Sequence, residues 1–287
     1  MRYFITGSKG FIARHLISEL KKDPKNTVHS CGKIEPHVVD YLLDVSNPDI
    51  IFHLGAELKD NDKMFQSNVV LTMKILEYCA KTKPKLLVLF GSSSEYGYAT
   101  KTMSEDDLPN PQTLYAGTKA ATAMLAKVWS QQYDIPVVYI RPFTVYGEDE
   151  KSTKLTQILF QKWRENGVLE LSEGIHDYIY IDDFIDILLN NIVCNPIRTF
   201  DIVNIGSGLE RTNFEFVREF EKAVGHKFKI QLKDAKRETE FWCADTKKLQ
   251  WRYVVSDLKL RKVGDLSSGI KRMIHKYVTH YDGASAH

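Results

Sequence analysis

Short, wholly apolar runs alternate with longer stretches of helical spacing through the first half of the chain. Residues 2–6 (RYFIT) predict a strand, and residues 11–22 repeat apolar positions at helical spacing, so a tight turn joins them. Residues 27–30 predict a second strand. Residues 50–54 (IIFHL) predict a buried one behind the Asn47-Pro48 break. A helix is expected over 65–81, where Val69, Val70, Met73, Leu76 and Cys79 share a face. KLLVLF at 85–90 is another strand, followed by a long helix over 115–133 and a strand over 136–141. Such alternation implies βαβ units and a parallel sheet covered on both faces. Ligands of such sheets bind beyond the carboxyl ends of the strands.

Past residue 147 the regularity fades. Shorter strands are expected at 168–171, 178–181 and 228–232, with helices at 154–166, 183–192, 213–224 and 267–277. No internal repeat or low-complexity linker interrupts the chain. The expected organisation is therefore a parallel-sheet domain over 1–147, a smaller lobe over 148–281 with some elements returning to the sheet, and a frayed tail over 282–287.

Composition narrows the partners. The 287 residues are 43% apolar and 26% charged, which excludes disorder, collagen and disulfide scaffolds. Thirty-nine Lys and Arg against 37 Asp and Glu give a net charge of +2 and no electrostatic reason to expect nucleic acid or a membrane surface. No run reaches the roughly 18 apolar residues of a membrane span, and the N-terminus does not read as a signal peptide. Cys31, Cys79, Cys194 and Cys243 lie too far apart for zinc ligation and read as buried, reduced thiols, so a cytoplasmic location is expected and no metal.

Two constellations carry chemistry. In the first, Thr6-Gly7-Ser8-Lys9-Gly10-Phe11-Ile12-Ala13 joins the first strand to the first helix. Gly7 permits a tight turn, Gly10 admits a pyrophosphate close to the backbone, and the helix N-terminus offers free N–H groups and a positive dipole end. The acidic residue expected at the end of the second strand for a ribose 2′-hydroxyl is missing from Val28-His29-Ser30-Cys31-Gly32-Lys33. Lys9 and Lys33 could instead attract a 2′-phosphate, which favours NADP over NAD. In the second, Ser92-Ser93-Ser94 follows the strand ending at Phe90, and Tyr115 and Lys119 lie four residues apart on one face of the long helix. A nearby ammonium is expected to lower the tyrosine pKa and fit it for acid–base work, with a serine hydroxyl sharing the proton transfer.

With these motifs the chain resembles the extended short-chain dehydrogenase/reductase family, and within it the sugar-nucleotide epimerases, dehydratases and reductases. HLGA at 53–56, the helix start at Asn68-Val69, SSSEYG at 92–97, RPFTVYG at 141–147, HDYIYIDD at 176–183, VNIGSG at 203–208 and DTKKL at 245–249 extend the match over nearly the whole chain. The resemblance implies a Rossmann-type doubly wound sheet with a smaller C-terminal α/β lobe that holds a nucleotide-diphosphate sugar. It implies Ser92, Tyr115 and Lys119 as catalytic residues. It places Gly7, Ser8, Lys9, Gly10, Phe11, Ile12, Lys33, Leu54, Gly55, Ala56, Tyr115, Lys119 and Pro142 at the cofactor. It places Ser92, Ser93, Tyr115, Thr144, Arg211 and Arg237 at the substrate. A homodimer through the 115–133 helix is also implied.

Four departures bear on the reaction. Glu95 stands where relatives place an apolar residue, and a one-residue deletion there would move the serine assignment to Ser93. Ser93 and Ser94 stand where dehydratases carry acidic groups. Thr144 replaces an Asn, and His176, replacing an Arg, reads as a surface histidine. The expected reaction is NADPH-dependent reduction of a nucleotide-linked 4-keto sugar. The alternatives are a 4-epimerase or 4,6-dehydratase with tightly held NAD, and a non-catalytic dinucleotide sensor, which the presence of both Tyr115 and Lys119 disfavours.

Overall fold

In a computed structural model, residues 1–195, 197–233 and 240–284 are described. The elements in chain order begin with β1 (Arg2–Thr6), α1 (Phe11–Leu20), β2 (Thr27–Cys31), α2 (Val39–Ser46), β3 (Ile50–His53), α3 (Asn61–Phe65), α4 (Leu71–Thr82), β4 (Leu86–Phe90), α5 (Leu114–Tyr133) and β5 (Val137–Pro142). They continue with β6 (Thr144–Tyr146), α6 (Leu155–Glu165), β7 (Val168–Leu171), β8 (Gly174–His176), β9 (Tyr178–Tyr180), α7 (Ile181–Asp186) and β10 (Phe200–Ile205). They close with β11 (Arg211–Thr212), α8 (Asn213–Val224), β12 (Lys229–Leu232), β13 (Glu240–Trp242), α9 (Lys247–Trp251), α10 (Asp257–Val263) and α11 (Leu266–Ala284).

The chain divides into two compact units. The first holds Met1–Tyr98, Glu105–Pro142 and Ile185–Ile205. Its sheet is parallel throughout, in the order β10-β5-β4-β3-β1-β2. The order reverses at β1, which lies between β2 and β3, and that is where a parallel sheet opens a crevice for a ligand. β3 and β4 are buried along their whole length, as their apolar runs require, with His53 at the end of β3 buried among them. A core of Phe4, Leu43, Ile51, Ile75, Leu87, Ala126, Val137 and Tyr139 brings strands together with α2, α4 and α5. Each fully buried aliphatic side chain there contributes about 1.5 to 3 kcal/mol.

The second unit holds Ala99–Ser104, Phe143–Phe184 and Gly206–His287. Its described residues form three small sheets, β11-β8-β13, β12-β7 and β6-β9. Its core is aromatic: Tyr146 and Tyr178 lie against Phe216 at centroid distances of 5.0 and 4.5 Å, and Phe160 stacks on Tyr277 at 3.6 Å.

Several expectations need correction. The helix expected over 65–81 begins earlier, because Asp60 caps α3 at the Lys63 N–H, and a π-helical turn over Gln66–Val70 joins α3 to α4. The helix expected at 183–192 is α7 followed by a π-helical stretch, Ile187–Val193. Of the expected tail at 282–287, the described residues as far as Ala284 are helical, since α11 runs into it. Of the four cysteines, all free, Cys79 and Cys243 are buried, Cys31 is half-buried and Cys194 is exposed. Among the described residues no helix is long and apolar enough to cross a membrane.

Candidate functional site

The candidate residues of the first unit collect at the carboxyl edge of its sheet. Gly7–Ile12 follow β1, Lys33 follows β2, Leu54–Ala56 follow β3, Ser92 follows β4, and Pro142 ends β5. Gly7 has φ +71°, and a Cβ there would lie 2.7 Å from the Gly55 nitrogen. Only glycine lets the first turn approach the loop after β3 so closely. Gly10 forms the N-cap of α1 without a side-chain hydrogen bond, and no acidic residue stands in the first turn. The free N–H groups and dipole of a ten-residue helix therefore face outward from a glycine-lined turn, a donor set that fits the pyrophosphate of a dinucleotide.

The loop after β3 is fixed by a histidine that the sequence gives no reason to single out. Thr6 Oγ1 accepts the Gly55 N–H at 3.1 Å and lies 2.7 Å from His53 Nδ1. His53 Nε2 lies 3.0 Å from Thr72 Oγ1, whose own proton goes to the Asn68 carbonyl. That order of donors requires the neutral Nε2–H tautomer, and burial pushes His53 down to about 3, so it remains neutral. Asn68 adds a second tie: its amide bonds the Glu57 backbone on both sides and Thr118 of α5.

Of the two expected phosphate-binding lysines, Lys9 is exposed and its stem lies beside Gly32, where a Cβ would be 3.5 Å from Cε. Lys33 is exposed too; Glu57 nearby is held below the usual carboxylate range chiefly by the backbone N–H groups of Lys59, Asp60 and Leu58, with a smaller pull from the Lys33 charge.

Ser92, Tyr115 and Lys119 converge. Thr113 caps α5 at the Ala116 N–H, which sets Tyr115 in the first turn. Lys119, one turn on and buried, donates to the Phe90 carbonyl at 2.6 Å, and its ammonium lies 6.0 Å from the Tyr115 ring centroid. Burial, with the Glu95 charge adding to it, pushes Tyr115 up to about 12, while the nearby Ser92 hydroxyl acts in the opposite sense. Burial pushes Lys119 down to about 8, against the pull of Glu95. The expectation of a tyrosine acidified by its lysine is thus reversed in the protein alone. Desolvation of the phenolate is the larger effect, and the neighbouring carboxylate adds to it.

Glu95 itself is sealed. Its carboxylate accepts the Ser92 N–H at 2.8 Å, the Tyr139 hydroxyl at 2.9 Å and Arg141 Nε at 2.9 Å, with no exposure. Ser93 begins the 3₁₀ turn Ser93–Tyr96 and is half-buried.

In the second unit, Thr144 of β6 lies 3.4 Å from His176 Nδ1 through its hydroxyl. His176 is half-buried, not a surface residue, and burial pushes it down to about 4. Arg211 is the register partner of His176 across the β11–β8 pair, 3.7 Å from the Glu215 carboxylate. Arg237 lies outside the described residues. In the same unit Asp177, wholly buried, accepts the Ser207 N–H and hydroxyl and the N–H groups of Gly208 and Ala244.

Comparison with known proteins agrees with this geometry. Residues 3–206 match the sequence profile of the NAD dependent epimerase/dehydratase family. A probable UDP-glucuronate 4-epimerase of Rhizobium meliloti (strain 1021) is 27% identical over 283 residues, covering 78% of this chain and 83% of the relative. The solved UDP-glucuronic acid 4-epimerase of Bacillus cereus, in complex with UDP-glucuronic acid and NAD, superposes with a TM-score of 0.78 at 24% identity, covering 93% of this chain and 99% of that one. The dTDP-glucose 4,6-dehydratase of Bacillus anthracis, in complex with NAD, gives a TM-score of 0.80 at 18% identity, covering 93% and 96%. The chain belongs to the NAD-dependent epimerase/dehydratase family, enzymes of the extended short-chain dehydrogenase/reductase type.

Proposed function

We propose that the protein is a 4-epimerase of a nucleotide-diphosphate sugar, working with tightly held NAD. The observation that carries the reading is the convergence of Ser92, Tyr115 and Lys119 beside a turn suited to a dinucleotide, with Glu95 locked away from any substrate. NAD, when bound, supplies reversible hydride acceptance at its nicotinamide. Tyr115 takes and returns the proton of the sugar 4-hydroxyl, Ser92 holds that oxygen, and Lys119 steadies the phenolate that forms. The Gly7–Ile12 turn holds the cofactor pyrophosphate, and Leu54–Ala56, Lys33 and Pro142 line its path. Thr144 and Arg211 are assigned to the sugar diphosphate.

Dehydration needs an acid beside the serine. Ser93 and Ser94 are not acidic, and the Glu95 carboxylate is fully engaged. The expected NADPH-dependent 4-keto reductase finds no support among these relatives, whose printed names are epimerases and dehydratases and whose solved structures hold NAD. One observation keeps it as a second reading: β2 ends at Cys31 with Gly32 and Lys33 after it and no carboxylate at the ribose position. A homodimer through α5 also belongs to the proposal, since Met124 and Val128 are 68% and 58% exposed on it.

The test is to release and identify any dinucleotide from the purified protein, then incubate it with UDP- and dTDP-linked hexoses and uronates in heavy water. Epimerisation without solvent deuterium in the sugar supports the proposal. Deuterium at carbon 5 with loss of water indicates a dehydratase. Turnover only of a 4-keto sugar with added NADPH indicates the reductase.

A further inference from the structure

We propose that Glu95 is a positioning residue of this site, a buried carboxylate that orients Ser92 toward Tyr115 and sets a fixed negative charge beside Tyr115 and Lys119. The proposal rests on the catalytic reading of those three residues given above.

The geometry is closed on every side. One Glu95 oxygen accepts the Ser92 N–H, while the Ser92 hydroxyl accepts the Ser94 N–H, so the two residues form a reciprocal capping box around the 3₁₀ turn. That box fixes the backbone that presents Ser92 Oγ to the Tyr115 phenol. The same Glu95 oxygen lies 2.9 Å from the Tyr139 hydroxyl, which also lies 2.7 Å from the Lys119 carbonyl. A single phenol proton thus faces the carboxylate and the backbone of the helix turn that bears Lys119. The other Glu95 oxygen pairs with Arg141 Nε, and the guanidinium stacks 4.4 Å over the Tyr96 ring. The Tyr96 hydroxyl is held in turn by Asn204 at 2.8 Å. Glu95 therefore touches the local frame of both Ser92 and Lys119.

Stability alone accounts poorly for this pair. A buried ion pair does no better, on average, than apolar residues of the same volume. Here Arg141 Nη1 is buried without a hydrogen-bond partner among the described residues, so compensation is incomplete. What the pair adds is a charge of fixed sign next to two groups that must exchange or steady a proton.

The charged and titratable groups around the site fix the sign of the effect. Tyr115 faces Glu95 from the 93–96 turn and Lys119 from its own helix; Lys119 also faces His53 of β3; Glu95 faces Arg141 and Tyr139 of β5. The Glu95 charge raises both Tyr115 and Lys119. Its removal lowers both, so phenolate forms more readily while the ammonium is lost sooner.

The test uses the full-length protein, as isolated and with added NAD, carrying ring-labelled tyrosine. Tyr115→Phe assigns the Tyr115 carbon resonance, and its titration is followed in Glu95→Gln and in the double variant Glu95→Leu, Arg141→Met. The double variant removes both charges and guards against a misfolded single variant. Tyr115 is expected to titrate about one pH unit lower in Glu95→Gln, about tenfold more phenolate at a given pH, and to shift by less in the double variant, which loses the Arg141 charge as well. In activity, both limbs of the kcat/KM profile are expected to move to lower pH by a similar amount. Glu95→Gln retains an acceptor for the Ser92 N–H, so at its own optimum it is expected to hold most of kcat. The double variant, lacking that acceptor, is expected to fall a further tenfold in kcat with KM unchanged. If Tyr115 titrates at its wild-type position in folded Glu95→Gln, the inference is overturned. If the resonance shifts but the wild-type protein interconverts no sugar, the proposed function fails and the role of Glu95 stands.

Discussion

Glu95 and Asp177 are both withdrawn completely from solvent, each in a different unit, and each is held in its own way. Asp177 is solvated by the chain: two hydrogen bonds from Ser207 at 2.6 and 2.7 Å, one from Gly208 at 2.9 Å and one from Ala244 at 3.2 Å. Glu95 is balanced by a cation, Arg141, and shares its oxygens with Ser92 and Tyr139. Both rest on glycines, since a Cβ on Gly91 would collide with the Glu95 carboxylate and one on Gly206 with that of Asp177. Equal burial thus serves different ends. Asp177 ties together the backbone of residues 207–208 and 244, whereas Glu95 sets its charge beside Tyr115 and Lys119.

The contrast is open to direct attack. Arg141→Met leaves Glu95 charged and unpaired, and is expected to cost about 3 to 5 kcal/mol, measured by urea denaturation. Asp177→Ala strands the N–H groups of Ser207, Gly208 and Ala244, and about 3 kcal/mol is expected from their desolvation. Ser207→Ala removes one donor to Asp177 and is expected to cost about 1 kcal/mol. Combining Glu95→Leu with Arg141→Met is expected to change stability by no more than about 1 kcal/mol, because the pair departs together. A cost near that of Arg141→Met alone would erase the distinction between the two carboxylates.

The smallest expected effect is in pH dependence. Burial raises the folded pKa of Asp177 above its ordinary value, against its hydrogen bonds. The folded state therefore holds that proton more tightly than the unfolded chain. The stabilisation is complete below the ordinary carboxylate range and lost as pH rises through the raised pKa. The difference in urea midpoint between wild type and Asp177→Asn is expected to slope in that sense as pH rises above the ordinary carboxylate range. A flat difference would mean that the four donors cancel burial.

How far the sequence could be read follows from where each signal is stored. β1, β3, β4 and β5 were legible because their runs are predominantly apolar and β-rich. α5 was legible through its length, and the turn at Gly7 through its glycines. α2 was not, because its N-cap is Val38 and no side chain closes it. β6, β8, β11 and β13 are two or three residues long, too short for any period to show. The Ser92, Tyr115 and Lys119 set was readable as spacing on elements, but its electrostatics were not. The Glu95 charge beside Tyr115 is paired with Arg141, 46 residues away on the neighbouring strand β5. His53 likewise reads as one more residue of a buried strand until Thr6 and Thr72 supply its partners.

The position of β10 carries a consequence for how the molecule is made. It pairs with β5 in register from Phe200 to Ile205, yet the chain of β6 to β9 is synthesised between them. Until residues 200–205 leave the ribosome, β5 is a bare edge with its outer N–H and C=O groups unpaired, the kind of edge that recruits foreign strands. The closing contact is also the one with the greatest loop to bridge. A chain arrested after Pro142 therefore carries a nearly complete sheet and an adhesive margin, and aggregation of such nascent fragments, relieved once the sixth strand docks, is the expected hazard of this order of assembly.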